Sequence, residues 1–256
     1  PAKPKSITGF SLVELSIVLV ILGLLVGGVL TGRSLIRASE LRSVNAEYSK
    51  YLSATQTFRD KYFALPGDMT NATSFWGDDN TYCADASIAN GTPGTCNGNG
   101  AGTIDTSTEI FRYWQQLALS GLIEGSYSGV LGSAGNSLHH LRAVNAPGSR
   151  LSSSSLWAVY NRGSDTGSAT MWTTQYGNAL FIGNGTATSW PDGTALNGEE
   201  AWNIDKKIDD GMPGTGIVIG LFWPTCTNAT TFTDYAATYR LSETANICQL
   251  RFVRAF

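Results

Sequence analysis

One stretch limits what this chain can become: Phe10 to Leu30, FSLVELSIVLVILGLLVGGVL, almost unbroken apolar side chains with a single charge, Glu14. As a helix it reaches about 31 Å, the thickness of a bilayer's hydrocarbon core. A carboxylate inside that layer costs about 2.5–3.5 kcal/mol, so Glu14 calls for a partner. A short basic segment, PAKPKSITG, precedes the run. A cleaved signal peptide would show a small-x-small site after the run, and here a polar helix follows instead. A plain anchor leaves Glu14 unexplained, and a core helix is seldom this long. The residues favour a membrane-inserted helix retained in the mature protein.

The helical period continues beyond the run. Leu41, Val44, Tyr48, Tyr51, Thr55, Phe58 and Tyr62 step by three and four, with Arg42, Glu47, Lys50, Arg59 and Asp60 off the stripe. That half-helix is expected to lay its stripe on a globular domain. It is expected to stop near Tyr62 or Phe63, because Leu65 precedes Pro66 and is pushed out of the α region. Gly23, Gly27, Gly28 and Gly32 weaken the helix locally and equally allow close packing between helices.

The motif Gly9-Phe10-Ser11-Leu12-Val13-Glu14-Leu15 resembles the class III signal of type IV pilins and of the pseudopilins of type II secretion. The resemblance covers about the first 50 residues. It implies cleavage by a prepilin peptidase between Gly9 and Phe10, N-methylation of Phe10, and an assembly role for Glu14 against the freed amine of a neighbouring subunit. It implies identical subunits in a helical filament, inner-membrane assembly machinery, and membrane lipid as the earlier surroundings of the helix. The implied fold is α+β: a long N-terminal helix, its apolar half projecting, packed on an antiparallel sheet in a pilin-like ladle. The expected divisions are a leader at 1–9, an apolar half-helix at 10–33, an amphipathic half-helix at 34–63 and a head with long loops at 64–256.

The rest of the sequence bears on the head. With 42% apolar and 14% charged residues, 256 residues can bury a core in one domain. Net charge is −3, and loss of Lys3 and Lys5 with the leader makes it more negative, which argues against direct nucleic-acid binding through a broad cationic surface. Four cysteines form two close pairs, Cys83/Cys96 and Cys226/Cys248; an even count in an exported chain favours disulfides. The second pair sits where pilins commonly staple their C-terminal region.

Residues 66–105 read as a long structured loop. Within it, Asn97, Asn99 and Asp105 alternate as in a calcium loop, but Ala101 occupies a ligand position and only Asp105 is charged. A glycine-rich turn is the expectation, with calcium as the competing reading and no other cofactor or metal implied. Thr106-Ser107-Thr108-Glu109 is a capping box opening a helix to about Leu119, closed by Gly121. Strand-like runs follow at Leu156–Tyr160, Ala179–Ile182, Gly216–Phe222 and Ile247–Val253, with a helix from Asn197 to Asp210 stopped by Gly211. Asp205 and Asp209 share a helix face and, with Asp210, invite a metal or catalytic reading; a solvated helix end balanced by Lys206 and Lys207 is favoured. His139 and His140 are expected to be a solvated pair, since neighbours do not share a face.

No nucleophile elbow, phosphate loop or H-E-x-x-H pattern supports catalysis. The leading expectation is a non-enzymatic structural subunit of a type IV pilus-like filament, held in the inner membrane and then extracellular. A periplasmic pseudopilin of a type II secretion system is the alternative, and a membrane-anchored binding or hydrolytic domain the second.

Overall fold

A computed structural model describes residues 11–79, 83, 94–132, 138–168, 170–186, 190–221 and 225–256. Phe222, at the end of an expected strand, lies outside the described residues. The chain divides into two compact units, one ending at Glu40 and one running from Leu41 to Phe256.

Helix α1 is Leu12–Tyr62. It ends where expected: Phe63 turns to φ 54° ahead of Leu65-Pro66, and its N–H still donates to the Arg59 carbonyl at 2.8 Å. Arg59 and Lys61 in the last turn suit the negative end of the helix dipole. A single turn, α2 (Thr73–Trp76), interrupts the long loop, and α3 (Ser107–Leu119) follows. Thr106 and Glu109 form the capping box in full.

Strands β1 (Ser155–Asn161), β2 (Ser164–Ser168), β3 (Met171–Gln175) and β4 (Asn178–Asn184) come next. They are followed by α4 (Gly198–Ile208), β5 (Val218–Gly220) and β6 (Leu250–Phe252). β1, β4, β6 and β5, in that spatial order, make an antiparallel sheet. The protein is therefore α+β, a long N-terminal helix followed by an antiparallel sheet.

The register separates the two faces of the sheet. Trp157 pairs with Ile182, Val159 with Leu180, Leu180 with Phe252 and Val218 with Phe252, so all share one face, and all are at most 1% exposed. Within the Leu41–Phe256 unit, the amphipathic stripe of α1 and one side of α3 cover that face. Tyr48 stacks on Phe252 at 4.3 Å, and Tyr51 meets Trp114 and Trp157 edge-on at 5.1 and 5.6 Å. Such pairs contribute about 0.5–1.5 kcal/mol each beyond the area they bury. Val44, Tyr48, Tyr51, Thr55 and Phe58, five positions of the sequence stripe, are buried.

β2 and β3 form a separate antiparallel hairpin that the sequence reading left out. Ser164-Asp165-Thr166-Gly167-Ser168 has no apolar alternation to announce a strand. The hairpin is held by a second small core in which Trp172 and Tyr176 pack with Ile219, Leu221 and Val253.

The long loop is tied down through α3. Gln116 accepts from the Gly67 N–H at 2.6 Å and donates to the Cys96 carbonyl at 3.1 Å. A Cβ on Gly67, which has φ 85°, would come within 2.5 Å of the Glu109 carbonyl, so only glycine fits there. Arg112 reaches back to Asp79 at 2.9 Å, with both side chains sealed from solvent.

Candidate functional site

The first candidate is the start of α1. Every large apolar side chain from Leu12 to Ile36 is exposed, by 49–85%. Among the described residues this is the one helix long and apolar enough to cross a membrane. The Glu14 carboxylate accepts from the Ser11 N–H at 2.9 Å, closing over the first turn where the helix dipole favours negative charge. Thr31 and Ser34 turn their hydroxyls inward onto the Gly27 and Thr31 carbonyls, which leaves few polar groups on the side of the helix. Nothing lies within 4 Å of a Cβ placed at Gly23, Gly27, Gly28 or Gly32. Gly9 and Phe10, the expected cleavage residues, lie outside the described residues.

The remaining candidates lie on the Leu41–Phe256 unit. Cys83 is bonded to Cys96 and Cys226 to Cys248, closing loops of 13 and 22 residues in separation. Asn97, Asn99 and Asp105 each accept a hydrogen bond from the chain itself. Asn97 accepts from the Thr73 N–H at 2.9 Å, Asn99 from the Ala101 N–H at 2.7 Å, and Asp105 from the Thr103 hydroxyl at 2.9 Å. Asp68, which sequence reasoning did not single out, takes the Ala101 and Gly102 N–H groups at 3.0 and 2.8 Å. The oxygen atoms of this stretch serve turn geometry.

Two expectations are corrected. Asp205 is no solvated helix end: it is fully buried, accepting from the Tyr239 hydroxyl at 2.8 Å and the Gly211 N–H at 3.0 Å. Burial pushes its carboxyl up to about 7, against the pull of those two hydrogen bonds. Asp209 accepts from the Ile217 and Val218 N–H groups, and Asp210 from the Met212 N–H and the Thr215 hydroxyl. The three carboxylates offer oxygens within 4.8 Å of one another, yet each already binds donors of its own chain. They act as a clasp that seats the end of α4 against β5.

His139 and His140 are also buried rather than solvated. His140 stacks on Trp190 at 5.1 Å and tilts against Phe111 at 4.7 Å, and burial lowers its pKa to about 4. It is a neutral aromatic core residue at physiological pH. No sequence signal marks this, because Trp190 lies far along the chain.

Glu47 is a further residue that the sequence reading passed over as part of the polar face. Its carboxylate accepts from Trp157 Nε1 and the Ser149 hydroxyl, each at 2.7 Å, and from the Arg150 N–H at 2.9 Å. One helix residue thereby fixes β1 and the loop before it. Its position beside the apolar stripe was the available hint.

Comparison with known proteins returns one finding, confined to the N-terminus. No curated protein and no solved structure matches the chain. Residues 4–30 match the family model described as the prokaryotic N-terminal methylation motif. The exposed apolar helix with its single early acid thus carries the class III prepilin signal of type IV pilins and pseudopilins.

Proposed function

We propose that this chain is a structural subunit of a type IV pilus-like filament. The observation that carries the reading is the combination at the N-terminus: the methylation motif, Glu14 in the first turn, and an apolar helix surface with no covering side chains out to Ile36. In the inner membrane, lipid covers that surface. In a filament, the same surface of neighbouring subunits covers it, and identical heterologous contacts that do not close generate a fibre. Cleavage after Gly9 by the prepilin peptidase frees the Phe10 amine, which is N-methylated. Glu14 then gives up its contact with Ser11 for the Phe10 amine of a neighbour. Two charges that are each costly in an apolar medium neutralise one another, and they also fix the axial register of the subunits.

In this reading residues 1–9 are the leader, 10–33 the filament core, 34–63 the half-helix that carries the head, and 64–256 the head itself. Its role is structural rather than enzymatic. The mature subunit resides in the inner membrane before assembly and in an extracellular filament after it.

The test is mass spectrometry and electron microscopy of fibres sheared from cells that express the chain at its native level. Expected are extracellular fibres containing a subunit that begins with N-methylated Phe10, and their loss in Glu14→Ala. Fibres that assemble normally from Glu14→Ala overturn the charge-pairing step. A processed subunit that never leaves the periplasm overturns the pilus in favour of a pseudopilus of type II secretion. A chain that retains residues 1–9 and acts alone overturns both, and leaves the membrane-anchored binding or hydrolytic domain.

A further inference from the structure

The second face of the sheet carries a feature that filament assembly does not need. Phe181 pairs with Arg251 across β4 and β6, and Arg251 with Ile219 across β6 and β5. A guanidinium therefore stands on an inner strand, opposite the face that forms the core. Its carbon lies 5.2 Å from the Phe181 ring centroid. Its Nε is sealed from solvent without a hydrogen-bond partner. Among the described residues no carboxylate pairs with it in a salt bridge, and burial lowers its pKa to about 10. A cation held this way is stabilised only in part by one aromatic face, and its terminal N–H groups, which bond no group among the described residues, favour an incoming anion.

The space in front of it is a cavity of about 310 Å³. Phe181 and Tyr176 are buried at its floor, while Trp190 walls it and packs on Tyr160 and Phe181 at 5.0 and 5.4 Å. Arg162 and Asp192 are exposed at the mouth. Arg162 is paired with Asp165 at 2.5 Å, whereas Arg251 pairs with no carboxylate among the described residues. The volume lies at the small end of ligand pockets, which run from about 300 to 1,000 Å³.

We propose that this cavity binds a single pyranose unit bearing a carboxylate. Arg251 takes the carboxylate, for which its planar fork of donors is suited. The partly exposed Trp190 and Tyr160 rings take the apolar face of the sugar. Asp192 accepts hydrogen bonds from hydroxyls at the mouth, a role that selects a sugar over an unsubstituted aromatic acid such as benzoate, which has no hydroxyls to offer it. The same chemistry is found in a free uronic acid and in the end residue of an acidic surface polysaccharide.

The test uses the full chain in detergent micelles, with isothermal titration and saturation-transfer NMR against glucuronate, glucose and benzoate. Glucuronate is expected to bind at least about tenfold more tightly than either control. Arg251→Gln is expected to lose at least about tenfold, and Arg251→Lys to recover part of that loss. Asp192→Asn, at an exposed position that does not endanger folding, is expected to weaken glucuronate binding severalfold. No glucuronate binding up to roughly 10 mM, or glucose or benzoate binding as well as glucuronate, overturns the proposal. So does unchanged affinity in Asp192→Asn, or in a folded Arg251→Gln. A glucuronate-terminated oligosaccharide that binds more tightly than the monosaccharide identifies a polysaccharide end as the ligand; equal affinity identifies the free sugar.

Discussion

Replacing Asp205 by Asn removes a proton-binding site that folding creates. The wild-type carboxyl is raised from 3.8 to about 7 chiefly by burial, so the folded unit holds its proton more tightly than the unfolded chain does. The stabilisation from that proton is complete below about pH 4 and is lost as pH climbs from about 4 to 7. A rise of about three pKa units corresponds to about 4 kcal/mol. For a unit of this length, 1 kcal/mol moves the melting temperature by about 2–4 °C, so the full effect is on the order of 10 °C. Asn keeps an oxygen for the Gly211 N–H and an amide for the Tyr239 oxygen, and it does not titrate. Thermal melts of wild type and Asp205→Asn, followed by circular dichroism from roughly pH 4 to pH 8, supply the measurement. The difference between the two proteins is the quantity to follow, because titration of the other carboxylates cancels in it. The variant is expected to gain on wild type from about pH 4 to pH 7 and to hold that gain above it. Two melting curves that run parallel in pH would show that Asp205 ionises in the fold without penalty and would refute the reasoning.

Three further outcomes follow from named contacts. Asp79→Ala leaves the sealed Arg112 guanidinium with Gln115 but without its carboxylate and is expected to destabilise by about 3–5 kcal/mol in urea unfolding; Asp79→Ala with Arg112→Met should cost clearly less. Removing the Cys226–Cys248 bond by a double Ala substitution is expected to cost about 3 kcal/mol in the same assay. Glu47→Ala strands the Trp157 indole N–H, the Ser149 hydroxyl and the Arg150 N–H. It is expected to cost about 2–4 kcal/mol and to change the tryptophan emission; unaltered emission would argue against the Glu47–Trp157 bond.

What could be read from the sequence was local. The helix stripe from Leu41 to Tyr62, the Thr106/Glu109 box and the stop at Gly211 each depend on residues within a turn or two. So do the apolar runs that became β1 and β4. The methylation signal is likewise one continuous string. What could not be read depends on partners distant in the chain. Asp205 is buried because Tyr239, 34 residues on, closes over it. His140 is buried because Trp190 stacks on it, and the β2–β3 hairpin exists because Trp172 finds Ile219 and Val253. Arg251 followed the alternation of its strand, but only the register with Phe181 puts it in a cavity.

Glu47 and Tyr48 are adjacent on α1, yet they grip different strands: Glu47 holds Trp157 on β1, and Tyr48 stacks on Phe252 of β6. A pull transmitted along α1 therefore enters the sheet at two strands simultaneously, separated by β4. Cys248, two residues before β6, anchors the second of these to Cys226 by a covalent bond. The chain between Cys226 and Cys248 can therefore extend only after sulfur parts from sulfur, whereas the grip on β1 rests on hydrogen bonds to the carboxylate of Glu47.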